Sequence, residues 1–312
     1  MEAIRRQGRF EAALVLGPDR GPAERAARWT FSDTETLLRE SEPQGVVLLA
    51  PIAERPALVK QCLAAGAAVL VLGSPGPSRG CQRAASLSRL AGRFVLAASP
   101  LRFSPAVVLA RRLLDSGKFG RPLSMIVRSL WRGGRRAGSE DDGVVPLDQV
   151  FEAVDLICHL LGPIESAYSI DHPEGALAAV LASADRVPIT LNLHASGSAD
   201  ACGLELELRS TEGGSLVIDR DCRLTSASQG GRVDAAHRPS LPSADPVIEL
   251  GYDGLLHHFA RLVTARGGGW AGPVQALAAA AEAVLASAAR GRPVALGQPH
   301  RAASGRMEAA GA

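Results

Sequence analysis

The sequence predicts an α/β half followed by an α+β half, with the change near residues 118–122. Three observations predict it. Continuous apolar runs at Gly45–Ala50, Ala67–Leu72 and Phe94–Ala97 alternate with helical patterns. Such alternation marks a parallel sheet with helices on both faces. Beyond Pro122 the apolar residues recur at every second position, as in Ile189-Thr190-Leu191-Asn192-Leu193 and Leu204-Glu205-Leu206-Glu207-Leu208. That pattern marks an antiparallel sheet with one open face. Finally, 312 residues at 46% apolar content suffice for two medium domains, each with its own core.

In order, residues 12–16 form a short apolar run that ends at the turn Gly17-Pro18-Asp19, and residues 21–28 read as helix. Ser32-Asp33-Thr34 caps a short helix. The strand at Gly45–Ala50 is continuously apolar, so it is expected to be buried on both faces, and Pro51 ends it. A helix runs to Ala65, a second buried strand to Leu72, and the turn Gly73–Pro77 follows, with Ser78 placed to cap the next helix. A third strand, Phe94–Ala97, precedes a helix that begins at Ser104-Pro105. Leu123–Trp131 reads as strand and residues 132–143 as a polar loop. The stretch Gly143–Gly162 reads as a turn and then a helix. Residues 229–248 are rich in Gly, Pro, Ser and Asp and read as loop. Two helices, Tyr252–Thr264 and Pro273–Arg290, close the fold before a frayed tail at 298–312. The domains expected are therefore 1–120, 121–297 and the tail.

A net charge of +2 provides no field for nucleic acid or acidic lipid, and basic residues are not interleaved with aromatic ones. Lys60 and Lys118 are the two lysines, so any lysine chemistry has two candidates, both read as surface charges. Cysteines 62, 81, 158, 202 and 222 are odd in number and show no CxxC pair, which reads as reduced thiols in a cytoplasmic protein. The N-terminal MEAIRRQGRF has no apolar segment of a secretory signal, and no apolar run is suited to span a bilayer.

The helix within Gly143–Gly162 carries the candidate chemistry. Leu147, Val150, Phe151, Val154, Leu156, Ile157, Leu160 and Leu161 make a broad buried face. Asp148, Glu152, Asp155 and His159 recur at spacings of four, three and four, so they share one stripe. Such a stripe is either a solvated face or the wall of a site, and a carboxylate buried there can serve as a general base. His159 reads as packing at the helix end, on the C-terminal dipole. The glycine-bearing turn Gly73–Gly80 is a weak anion site, because its prolines remove N–H donors. His257 and His258 face different sides of their helix, so no shared metal is expected.

Several segments together resemble the Gfo/Idh/MocA oxidoreductases, the family of glucose–fructose oxidoreductase and inositol dehydrogenase. They are GVVLLAPIAERPALVKQCLAAGAAVLVLGSP, LRFSPAVVLARRLLDSGKFGRPLSMIVRS, GVVPLDQVFEAVDLICHLLGPIESAYS, STEGGSLVI and YDGLLHHFARLV, in that order from about residue 3 to 295. The resemblance implies a Rossmann-like α/β domain followed by an α+β domain with a large open antiparallel or mixed sheet. It implies NAD or NADP as cofactor, no metal, and a sugar-like or cyclitol hydroxyl or carbonyl as substrate. It also implies a homo-oligomer, or pairing with an active paralogue, through the open sheet that carries Thr190, Asn192 and His194.

The sequence departs from the family pattern in three places. The first strand and Gly-rich phosphate turn are missing, and the chain reads as starting inside the helix that follows them. The Glu-Lys-Pro that precedes the Gly73 turn is replaced by Leu72-Gly73-Ser74-Pro75, without lysine. On the helix, Asp148 and Asp155 match the family's aspartates, but its acid/base histidine is Glu152, and the histidine after the Pro51 turn is Arg55. The resemblance thus places Asp148 and Glu152 at the catalytic positions, Asp155 and Arg102 at substrate, and Pro51, Asp19 and Ser74 at cofactor. The expected function is an NAD(P)-dependent oxidoreductase with an impaired or repurposed site. The alternatives are a non-catalytic family member and a carboxylate-based lyase or isomerase.

Overall fold

The computed structural model describes residues 13–15, 29–31, 33–132, 145–196, 203–228, 233–238, 245–265, 268–270 and 273–296. The helix expected over 21–28, the loop over 133–143, the tail at 298–312, Asp19 and Cys202 lie outside the described residues.

Strands β1 (Ala13–Val15) and β2 (Trp29–Phe31) pair in parallel. Helix α1 (Thr34–Ser41) starts where expected, with the Asp33 carboxylate accepting the Thr36 N–H at 2.7 Å. Then come β3 (Gly45–Leu48), α2 (Arg55–Ala64), β4 (Ala68–Leu72), α3 (Ser78–Ala91) and β5 (Phe94–Ala98). A 3-10 turn, Pro100–Phe103, leads into α4 (Pro105–Asp115) and β6 (Pro122–Arg132). Helix α5 (Leu147–Leu161) follows, then β7 (Ile164–His172), β8 (Ala176–Ser183), β9 (Pro188–Ser196), β10 (Gly203–Ser210), β11 (Ser215–Ile218), β12 (Leu224–Ala227) and β13 (Val233–His237). The chain ends with α6 (Pro246–Glu249), α7 (Tyr252–Thr264), β14 (Gly269–Trp270), α8 (Val274–Arg290) and β15 (Val294–Ala295).

The first large sheet is parallel, in the order β14-β5-β4-β3. Strand β4 lies between two neighbours and its Ala68–Val71 are buried, as the apolar run predicts. Strand β3 differs from the expectation. It is an edge of this sheet in the described residues, so Leu48 alone is buried and Leu49 beyond it is exposed.

The second sheet has nine strands in the order β13-β12-β11-β10-β6-β9-β8-β7-β15. Its ladders are antiparallel except between β6 and β9, which run parallel with Met125 opposite Ile189. The alternation sorts the faces. Met125, Val127, Ile189, Leu191, Leu193, Leu206 and Leu208 point into the core, while Thr190 and His194 are exposed and Asn192 partly so. Helix α5 lies on the buried side over β6 and β9, and α8 packs on β7, α5 and α3.

Two local expectations change. The span 229–248 is not loop throughout, because β13 pairs with β12 and α6 is capped by Asp245, which accepts the Val247 N–H at 3.0 Å. Nor does Ser78 cap α3. It is the first helical residue, and Glu282 of α8 caps the helix from outside, accepting the Ser78 N–H at 2.7 Å and its hydroxyl at 2.6 Å. A carboxylate at a helix N-terminus is favoured by the orphan N–H groups and the dipole.

Candidate functional site

Helix α5 lies across the carboxyl ends of β4 and β5, where open α/β sheets bind ligands. Two of its carboxylates grip those ends. Asp148 accepts the N–H of Ser74, two residues past β4, at 2.8 Å. Asp155 accepts the N–H of Ser99, the residue after β5, at 3.0 Å.

Asp148 is held further by Arg55, at the start of α2. Arg55 Nη1 donates to Asp148 Oδ1 at 2.6 Å and Nη2 to Oδ2 at 2.8 Å, a bidentate pair. The same guanidinium donates to the Ala50 carbonyl at 2.8 Å and the Ser74 carbonyl at 2.6 Å, and Arg55 is 6% exposed. Gly73 makes room for this lock. Its φ is +90°, and a Cβ there would lie 2.5 Å from Asp148 Oδ1.

Asp155 is fully buried and takes 3.0 Å hydrogen bonds from both Arg102 Nη1 and Ser99 N–H. Burial raises its carboxyl pKa, while Arg102 and the Ser99 N–H oppose that rise. Arg102 Nε also donates to His159 Nδ1 at 3.2 Å, which leaves the His159 proton on Nε2. Burial, with the charges of Arg102 and Arg111, lowers the His159 pKa to about 4. The cation on the end of α5 is Arg111 rather than His159, since Arg111 Nη1 donates to the His159 carbonyl at 2.7 Å.

Glu152 sits between these two gripped carboxylates, one turn from each. Among the described residues it has no hydrogen-bond or ion-pair partner. Burial first, and then the charges of Asp148 and Asp155, raise its pKa to about 7. The stripe therefore divides into two fixed carboxylates and one that can exchange a proton near neutral pH.

Tyr252 starts α7 and is 38% exposed. Its phenol pKa is raised by burial and by the charge of Glu152. Nothing in the apolar periodicity of Tyr252–Thr264 singles it out. The available signal was the glycine before it, since Gly251 has φ +81° and lies tight against the Pro100–Phe103 turn.

The remaining sequence-predicted residues are placed as follows. Pro51 is exposed just past β3, and Ser74 is fully buried, with its hydroxyl accepting the Gly76 N–H at 3.3 Å. Lys60 and Lys118 are exposed, away from the stripe. His257 is exposed, whereas His258 stacks near Phe103 with ring centroids 5.4 Å apart. Among the described residues no group of three His, Cys, Asp or Glu could hold a metal ion. Cys62, Cys81, Cys158 and Cys222 carry no disulfide, and burial raises all four thiols, to between about 11 and about 12.

A dinucleotide needs N–H donors for its pyrophosphate. The N–H groups of Ser74, Ser78 and Ser99, at or near the carboxyl edge of the sheet, are already held by Asp148, Glu282 and Asp155. These three N–H groups are therefore not open to a pyrophosphate. No described helix is long and apolar enough to cross a membrane.

No protein-family model matches the chain, and no curated protein matches it in sequence. Solved structures do match. An oxidoreductase from Agrobacterium radiobacter, in complex with NAD+, L-tartaric acid and magnesium, is 15% identical with a TM-score of 0.77, over 95% of this chain and 94% of its own. Levoglucosan dehydrogenase, in complex with NADH and levoglucosan, is 16% identical with a TM-score of 0.75, over 93% and 90%. The WlbA dehydrogenase from Bordetella pertussis, in complex with NADH and UDP-GlcNAcA, is 19% identical with a TM-score of 0.67, over 96% and 94%. At these identities the likeness is one of fold, and the expected architecture of a parallel, helix-flanked sheet followed by a large mixed sheet is what the structure contains. The chain has the fold of the NAD-binding oxidoreductases of the Gfo/Idh/MocA type.

Proposed function

We propose that this protein is an oxidoreductase acting on a hydroxyl or carbonyl carbon of a small sugar-like or cyclitol-type molecule, with Glu152 moving the proton. One observation carries the reading: Glu152 is a carboxyl without a partner among the described residues, poised near pH 7 beside the carboxyl edge of the sheet. The other ionisable groups of the stripe are less suited to the task. Arg55 and Arg102 do not deprotonate in proteins. Asp148 is clamped by Arg55 at both oxygens, and Asp155 is buried against Arg102. His159 is neutral and its Nδ1 is occupied. In the oxidation direction the Glu152 carboxylate takes the hydroxyl proton, and in reduction its acid form returns it. Arg55 and Asp148 hold the end of β4 in place beneath it, and Arg102 and Asp155 hold the end of β5.

The hydride half of the reaction rests on the fold, since the neighbours named above were solved with NAD+ or NADH. The occupied N–H groups at the sheet edge favour a second reading, a lyase or isomerase that uses Glu152 without external hydride. Titration with NADH and NADPH, followed by nicotinamide fluorescence, separates the two. Binding supports the first reading, and absence of binding to either removes it. Glu152→Gln is then assayed on a panel of sugars and cyclitols. Turnover unchanged by this substitution removes Glu152 as the proton-moving group, whereas a wild type that turns over nothing on the panel leaves a non-catalytic protein, such as the partner of an active paralogue.

A further inference from the structure

We infer that Arg55 is a positioning residue for the proton step: by fixing Asp148 as a carboxylate at the end of β4, it leaves Glu152 as the member of the α5 stripe on which the exchangeable proton sits. The inference rests on the Glu152 reading and deepens it, since it names what keeps the proton there.

Arg55 is built into the fold rather than laid over its surface. It precedes Pro56 at the start of α2, and that proline packs on the turn after β4, where a Cβ on Gly76 would lie 2.9 Å from Pro56 Cγ. The Arg55 Nε donates to the Ala50 carbonyl at 2.8 Å, and Nη1 donates to the Ser74 carbonyl at 2.6 Å. The fork that remains, Nη1 and Nη2, takes both oxygens of Asp148. A guanidinium so committed, and 6% exposed, has no freedom to swing towards Glu152. Asp148 is equally fixed. Its Oδ1 also accepts the Ser74 N–H at 2.8 Å and fills the space that a side chain on Gly73 would need.

Asp148 and Glu152 are one helical turn apart on α5, a spacing that puts their Cβ atoms about 5–6 Å from each other. Two carboxylates so close in a partly buried site do not ionise independently, and their protons belong to the pair. A permanent cation on one member breaks the tie. Arg55 does not deprotonate, and its planar fork matches a carboxylate, so the charge stays on Asp148 and the proton falls to Glu152. The other groups that face Glu152 leave this assignment intact. Asp155, on the same helix, has its own cation in Arg102. His159, two turns further along, is spent on Arg102 as well. The Tyr252 phenol of α7 is held in its neutral form by burial and by the charge of Glu152. The fixed charges of Asp148 and Asp155 then favour the acid form of Glu152. Arg55 thus acts on Glu152 through Asp148.

The test uses the full chain with carbon-13 in its Asp and Glu carboxyl groups and follows each titration by NMR. Glu152 is assigned by the signal lost in Glu152→Gln, and Asp148 by the signal lost in Asp148→Asn. In the wild type Glu152 should titrate in a single step near pH 7. In Arg55→Met the Asp148 and Glu152 signals should titrate together in two coupled steps. Asp148→Asn, alone or with Arg55→Met so that no unpaired charge is left, should lower the Glu152 midpoint by about one pH unit. A lock that is structural only would weaken folding in Arg55→Met and leave the Glu152 curve a single step at its wild-type midpoint. That outcome overturns the inference and leaves Glu152 standing. So does a Glu152 midpoint unmoved in Arg55→Met/Asp148→Asn, which decides the matter where Arg55→Met alone does not fold. A wild-type Glu152 that titrates near pH 4.5 overturns the Glu152 reading itself.

Discussion

Arg55 and Asp148, 93 positions apart in sequence, meet through two parallel hydrogen bonds of 2.6 and 2.8 Å. The pair ties the start of α2 to the start of α5, and through the Ser74 carbonyl and N–H it also ties the end of β4. The parallel sheet and the helix of the second half are thus joined by charge as well as by apolar packing.

Breaking that pair is expected to cost stability. Asp148→Ala leaves a 6% exposed guanidinium without its counter-charge, and removing one partner of such a pair typically costs about 3–5 kcal/mol. Urea unfolding followed by circular dichroism measures it. A loss below about 1 kcal/mol would mean that Arg55 finds another partner and that the lock is not structural.

Gly73 should be intolerant of a side chain for the same reason. Gly73→Ala puts a Cβ 2.5 Å from Asp148 Oδ1 at a φ of +90°, so either the backbone or the carboxylate must move. Backbone strain of this kind costs about 1–3 kcal/mol. Gly66→Ala is the control, with φ +78° but nothing within 4 Å of the added Cβ. If the two variants lose the same stability, the close approach to Asp148 contributes nothing.

These contacts show which parts of the molecule were legible in the sequence. The buried runs of β4 and β5 and the alternation of β9 and β10 reflect local periodicity, which a linear reading captures. The stripe Asp148, Glu152, Asp155 was legible because helical spacing alone aligns it. What each member does was not legible, because Arg55 and Arg102 reach Asp148 and Asp155 from positions 93 and 53 residues away. Glu152 differs from its neighbours only in lacking such a partner. Ser78 shows the same limit, since it has the composition of a cap but Glu282, 204 residues away, takes that role. Strand β13 was hidden because a five-residue edge strand leaves little signal in a Gly- and Pro-rich stretch.

The raised pKa of Glu152 makes a prediction about stability against pH. A carboxyl near 4.5 when unfolded and about 7 when folded binds more protons in the folded state between those values. Stability contributed by this group is therefore undiminished below pH 4.5, falls as pH rises from 4.5 to 7, and stays reduced above 7. Glu152→Gln should be more stable than the wild type above pH 7, by at most about 3 kcal/mol. The difference should vanish below about pH 4.5. Thermal melts of both proteins across pH 4 to 8 measure it. Parallel melting curves over the whole range would mean that Glu152 is solvated and ionised like any surface glutamate.

The open face of the nine-stranded sheet supports a prediction about assembly. Register places Tyr168 opposite Val180, Val180 opposite Thr190, Thr190 opposite Ile126, Ile126 opposite Glu207 and Glu207 opposite Val217. Tyr168 is 40% exposed, Val180 57%, Val217 39%, and Ile170 on the same face 60%. Apolar side chains in one row across adjacent strands are a larger patch than scattered surface residues make. The central Thr190, Asn192 and Arg128 carry polar groups that an antiparallel copy could pair with. We propose that a second copy of the chain covers this face. Val180→Arg, beside Tyr168 in this row, should then convert the protein to a monomer while leaving the Glu152 titration unchanged, because Val180 lies on the side of the sheet away from α5. Sedimentation velocity over a series of protein concentrations reads the result, since self-association depends on concentration. A wild type that sediments as a monomer across the series rules out self-association. The exposed row would then be left for a different partner, such as the active paralogue of the non-catalytic reading, and co-purification of such a paralogue through wild type but not Val180→Arg would distinguish that case.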